Sequence, residues 1–201
     1  MNFALAALTF GVAAGLKPGP LGVFVIHQTM SKSNRHGMLA SMAPLLTDGP
    51  IILLALLLTL KIDDIGWFIS VISIVGAVYL ATIAYKIFNA PASINPNGSV
   101  EDGSSFVTAV KINFLNPSPY IFWLTIGSSY ILMGTMLDAS VFIASMLVSL
   151  CATKYIVAIS IKTLGQQFNP RVYSAILRSL SLPLLAFSVQ LLYTGISSLQ
   201  I

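Results

Sequence analysis

Residues Gly15 to Phe24 read GLKPGPLGVF: one lysine, two prolines and three glycines inside an apolar stretch that runs from about Phe3 to Ile26. A membrane-crossing helix needs about 20 apolar residues, and this stretch is long enough. Yet proline lacks an amide hydrogen and its ring crowds the preceding turn, so the stretch carries its own break. The fold turns on why it does.

Composition supplies the membrane premise. Apolar residues make up 56% of the 201, charged residues only 8%, and mean hydropathy is +0.89. A soluble domain carries about a quarter charged residues. This chain cannot cover its surface with solvated groups, and lipid is the natural alternative. Met1 to Ala14 lacks a basic leader and the apolar pattern resumes after the break, which marks a retained first helix rather than a cleaved signal. Cys151 is the only cysteine, which excludes an internal disulfide, a thiol pair and a cysteine-built metal site. The net charge of +4 and pI near 9.3 reflect loop lysines and arginines and give no reason to expect nucleic acid.

Six apolar stretches follow one another at about 2–29, 37–60, 65–88, 106–133, 139–161 and 174–200. Between the third and fourth, Asn89 to Ser105 read NAPASINPNGSVEDGSS, a polar linker. The expected domains are therefore 1–88, a first three-helix repeat, and 106–201, a second, joined by 89–105 into one membrane unit. Lys32, Arg35, Lys86, Lys162, Arg171 and Arg178 fall on one side of the spans and Lys61, with Asp63 and Asp64, on the other. By the positive-inside rule the first set is cytoplasmic and both termini lie outside, with Trp67 and Phe68 at the outer interface.

The halves resemble each other. Pro18-Gly19-Pro20 in the first is matched by Asn116-Pro117-Ser118-Pro119 in the second, a shift of 99 from Pro18 to Pro117. VGAVYLATIAYKIF from Val75 is matched by LPLLAFSVQLLYTGI from Leu182, a shift of 108 between Tyr85 and Tyr193. An odd number of spans per half inserts the second copy upside down. The expected fold is an all-α integral membrane protein of six transmembrane helices in two inverted-topology repeats, with helices 1 and 4 broken at the proline motifs. In such layouts paired broken helices mark a midplane site.

Pro18, Pro20, Pro117 and Pro119 leave backbone carbonyls without amide partners, which are tolerated only when packed in protein or facing a wet cavity. Asp48, in APLLTDGPIILLALLL, is the one acid deep in an apolar stretch. A charge there costs about 3 kcal/mol on insertion scales, so it faces the bundle interior and has a partner. Shifting Asp48 by 99 to 108 gives the window 147–156, which contains Lys154 in SLCATKYIVAI. Lys17 and Lys111 are the other lysines outside loops, Lys17 beside the break and Lys111 near the start of its span. Asn113, Asn116, Thr47, Thr125 and Ser128 are candidates to line a polar passage. His27 and His36 have no second ligand at metal spacing. Tyr79, Tyr85, Tyr193 and Cys151 suit packing or interface roles, and Gly76 with Ala77 offers a small-residue face for self-association into a homo-oligomer.

With these residues in view, the chain resembles the LysE/RhtB-type amino-acid exporter family. KPGPLGVFVIHQTMSKSNRHGMLASMAPLLTDG (17–49), VGAVYLATIAYKIF (75–88) and AVKINFLNPSPYIFW (109–123) carry the resemblance. It implies a multi-pass exporter of amino acids or related small solutes in the cytoplasmic membrane of a prokaryote, driven by an ion gradient. It also implies functional roles for Pro18, Gly19, Pro20, Asp48, Asn116 and Pro117. Two departures bear on substrate: many relatives have Asn-Pro-Lys where this chain has Asn116-Pro117-Ser118, and Lys17 is not generally expected before Pro-Gly-Pro. The expected function is a secondary transporter, not an enzyme, needing no cofactor beyond a gradient of protons. Asp48 exchanges between proton, substrate and Lys154. A cation or metal-ion transporter of the same architecture is the alternative.

Overall fold

The computed structural model describes residues 2–17, 19–59, 66–89, 102–165 and 170–197, and among these every regular element is helical. In the first half they are α1 (Phe3–Leu16), α2 (Pro20–Ser31), α3 (Asn34–Ser41), α4 (Ala43–Thr59) and α5 (Gly66–Asn89). The second half has α6 (Asp102–Phe114), α7 (Pro117–Phe122), a π-helical turn (Trp123–Gly127), α8 (Ser128–Met133), α9 (Met136–Gly165), α10 (Pro170–Ser179) and α11 (Ser181–Ser197). Asn34–Leu58, Ser70–Asn89 and Met136–Gly165 are long and apolar enough to cross a membrane, and α1 with α2 forms a bent apolar pair.

Local chemistry sets the boundaries. Asn2 caps α1 by accepting from the Leu5 amide at 3.1 Å. Pro20 and Pro117 open α2 and α7 at the first helical position, where a missing amide hydrogen costs nothing. The prolines therefore restart helices here, and the axes of α1 and α2 meet at 66°. Two boundaries differ from the hydropathy reading. The stretch 37–60 is two helices divided at Met42, and α6 begins at Asp102, because a helix's first turn takes polar residues that hydropathy assigns to a linker. Pro18, Lys61, Asp63, Asp64 and linker positions 90–101 lie outside the described residues, as do the side chains of Phe68 and Arg171.

Close approach organises the bundle. α1 packs chiefly on α9: a side chain at Gly11 would strike the Ser149 hydroxyl, and one at Gly15 would lie 2.5 Å from Thr153 Cβ. Glycines at four-residue spacing let backbones meet where no hydrophobic effect drives association. α5 packs chiefly on α11, with Ser70 Oγ donating to the Gly195 carbonyl at 2.6 Å and Ser188 Oγ to that of Ala77 at 2.8 Å. Gly76 and Ala77 are thereby buried within the chain, Gly76 against the Leu115 carbonyl, and are not a free self-association face. α4 packs on α6, α7 and the π turn.

Two apolar clusters result. One, around Val25, Ala40, Leu80, Ile112 and Leu184, joins α2, α3, α5, α6 and α11. The other, around Ala7, Ile51, Tyr120, Trp123 and Phe142, joins α1, α4, α7 and α9. The helix breaks bound a cavity, and many large apolar side chains, Leu5, Leu53, Val78 and Val189 among them, point outward as a lipid-facing surface requires.

Candidate functional site

A cavity of about 390 Å³ is lined by both helix breaks, through Lys17, Gly19 and Pro20 on one side and Asn116, Ser118 and Pro119 on the other. Asp48 and Lys154 line it too, although only 2% and 8% exposed. The rest of the wall is largely apolar: Phe10, Phe122, Met146, Leu150, Phe187 and Leu191. Pro117 is buried at the start of α7 and does not line it.

Asp48 is held entirely by donors. Its Oδ1 accepts from Asn113 Nδ2 at 2.9 Å and shares the one Thr47 hydroxyl hydrogen, at 3.2 Å, with the Ala43 carbonyl at 3.1 Å, and its Oδ2 accepts from Trp123 Nε1 at 3.0 Å. Asn113 spends its second amide hydrogen on Thr47 Oγ1 at 2.6 Å. That pattern suits a carboxylate, an acceptor at both oxygens. No basic side chain forms an ion pair with it among the described residues, so the expected meeting of Asp48 with Lys154 is not seen.

Lys154 reaches the other way. Its Nζ donates to the Ala14 carbonyl at 3.2 Å. Ala14 lies in the last turn of α1, whose final carbonyls have no amide partner further along the helix. The ammonium also lies beside the first turn of α2, since a Cβ at Gly22 would be 3.7 Å from it. Gly19 caps that turn without a side-chain hydrogen bond. At the second break Asn116 caps α7 itself, accepting from the Ser118 amide at 3.1 Å.

Other candidates fall elsewhere. Lys111 is exposed in the last turn of α6 and does not line the cavity. Thr125 and Ser128 spend their hydroxyls on the carbonyls of Ile121 and Leu124. Both border a second pocket shared with Phe10, Ser129 and Tyr130. His27 bonds Gln28, and His36 bonds Ser33. Tyr85 and Tyr193 are exposed on α5 and α11, and Cys151 is buried as a free thiol. Sequence reasoning missed Trp123, the partner of Asp48 Oδ2. An indole six residues after an Asn-Pro pair was its only signal.

An apolar helical bundle whose buried acid and base face a cavity between broken helices has the character of a multi-pass membrane protein. A family model for the LysE type translocator matches residues 12–195, and the chain belongs to that family. Its members are membrane translocators of small solutes rather than enzymes. No curated protein and no solved structure matches the chain.

Proposed function

We propose that this protein is a secondary transporter that exports an amino acid or related small solute across the cytoplasmic membrane of a prokaryote by proton-coupled alternating access. Six spans form two inverted repeats, with both termini outside. The observation that carries the reading is that Asp48 and Lys154, 106 positions apart, line one cavity from the two halves and are held by residues at a related shift. Asn113 holds Asp48 and Ala14 holds Lys154, and these two positions differ by 99, the shift that relates the breaks. The helix pairings support the same exchange of halves: α1 on α9 corresponds to the run α6 to the π turn on α4, and α5 on α11 corresponds to itself.

The chemistry fits a zwitterion. Asp48 takes the ammonium, while Lys154 and the uncapped first turn of α2 take the carboxylate, since a helix N-terminus carries partial positive charge. Phe10, Phe122, Phe187 and Leu191 accommodate the side chain. A ligand shifts an equilibrium between inward and outward states only through differential affinity. A proton taken by Asp48 from outside removes the charge that holds the ammonium, and so supplies that difference.

The test is efflux from proteoliposomes loaded with a labelled panel of basic, neutral and small polar amino acids, with and without an inward proton gradient. Gradient-dependent efflux lost in Asp48→Asn is the expected result. Efflux kinetics unchanged by Asp48→Asn would remove the coupling role, and no efflux across the panel would reject the amino-acid reading.

A further inference from the structure

Trp123 holds an oxygen that a substrate ammonium would need. Its indole is 1% exposed and donates to Asp48 Oδ2, while Asn113 and Thr47 occupy Oδ1. Trp123 also opens the π-helical turn, in which the Ser128 amide is shared between the Trp123 carbonyl five residues back and the Thr125 carbonyl three back. π turns insert one extra residue into a helix and recur at functional sites. Gly127 closes the turn beneath the ring: a Cβ there would run into the indole, with Cζ3 at 3.0 Å and Cδ2 at 3.1 Å. Only glycine at 127 lets the ring lie where its N–H reaches Asp48.

Resting on the reading of Asp48 as the ammonium site, we propose that Trp123 is a positioning residue that competes with substrate for Asp48. With no ammonium on Asp48, the indole N–H occupies Oδ2. When an ammonium arrives, the indole yields that oxygen and the turn Trp123–Gly127 moves with it. Phe122 and Ile126, which line the cavity from the same turn and its flank, move too. Occupancy at Asp48 is thus transmitted to α8 through one hydrogen bond.

Trp67 and Trp123 are the only tryptophans, so Trp67→Phe leaves Trp123 as the sole indole reporter. We would titrate that full-length variant in lipid nanodiscs with L-leucine, isoamylamine (the same side chain without the carboxylate) and 4-methylvalerate (without the amine), reading emission and acrylamide quenching. Both amine-bearing probes should red-shift the emission and raise quenching, and 4-methylvalerate should do neither. An indole that does not respond to the amines, or responds equally to the carboxylate probe, overturns the proposal.

A second arm separates positioning from mere packing. Trp123→Phe keeps the ring but removes the competing donor, so efflux should show KM lowered by about tenfold, the scale of a hydrogen bond to a charged group, with turnover also reduced. Gly127→Ala, which displaces the indole without removing it, should do the same. Turnover reduced with KM unchanged or raised in both variants would mean packing alone. A chain that exports no amino acid while its indole still answers to amines would reject the transport reading and leave this one standing.

Discussion

Asp48 and Lys154 face one cavity from α4 and α9 without touching, each turned toward a residue on the other half of the chain. A collapsed ion pair would fill the space and satisfy both charges. Held apart, they leave a gap with an acid on one wall and a base on the other, which under the proposed function a solute carrying both charges would complete.

Lys154→Met should therefore discriminate between substrates. Losing a hydrogen bond to a charged group costs about 1.5–3 kcal/mol, so KM for an amino acid should rise about tenfold or more. The decarboxylated amine with the same side chain should be moved as by wild type. Equal loss for both compounds in efflux assays would make Lys154 a prop for α1 through Ala14.

Phe10 lines both the main cavity and the second pocket, and packs edge-on against Phe122 and Tyr130 with ring centroids at 5.9 and 5.6 Å. With Ile126, which also lines both, it stands between the two spaces. Phe10→Ala should join them, so that efflux without a proton gradient rises severalfold while gradient-dependent efflux falls. If leak from proteoliposomes stays at the wild-type level, the partition lies elsewhere.

Gly11→Val should separate α1 from α9. Its side chain would meet the Ser149 hydroxyl and the Met146 carbonyl, and overpacking of this kind costs about 1–3 kcal/mol. A lower unfolding temperature in detergent is expected. Gly49→Ala, where a Cβ meets nothing within 4 Å, should show no loss. Equal behaviour of the two variants would contradict the packing of α1 on α9.

The broken helices and the two charged cavity residues were legible because proline chemistry and burial cost act on a single residue wherever it sits. Asp48 stood out as an acid among leucines, and the window set by the shifts of 99 and 108 contained Lys154. The hydrogen bonds that hold them were not legible, since Ala14 contributes only a carbonyl and every residue has one. Trp123 and its π turn leave no periodic mark, and an aromatic residue in an apolar stretch reads as packing. The division at Met42 was hidden because hydropathy carries no mark of a one-residue interruption in a helix. Lys111, near the start of its span, is exposed and does not line the cavity.

The helices also differ in reach. At about 1.5 Å per residue, the 30 residues of α9 extend about 45 Å, whereas the 17 of α11 extend only about 25 Å, short of a hydrocarbon core about 30 Å thick. α9 is long enough to tilt or to reach through both headgroup layers, whereas lipid beside the described residues of α11 would thin to meet them, at a modest cost per ångström of mismatch. Acyl-chain length thus becomes a control on activity: efflux should be faster in vesicles of shorter-chain phospholipid than of longer-chain phospholipid at equal fluidity. A rate indifferent to chain length would mean that the short helix never bears on the membrane around it.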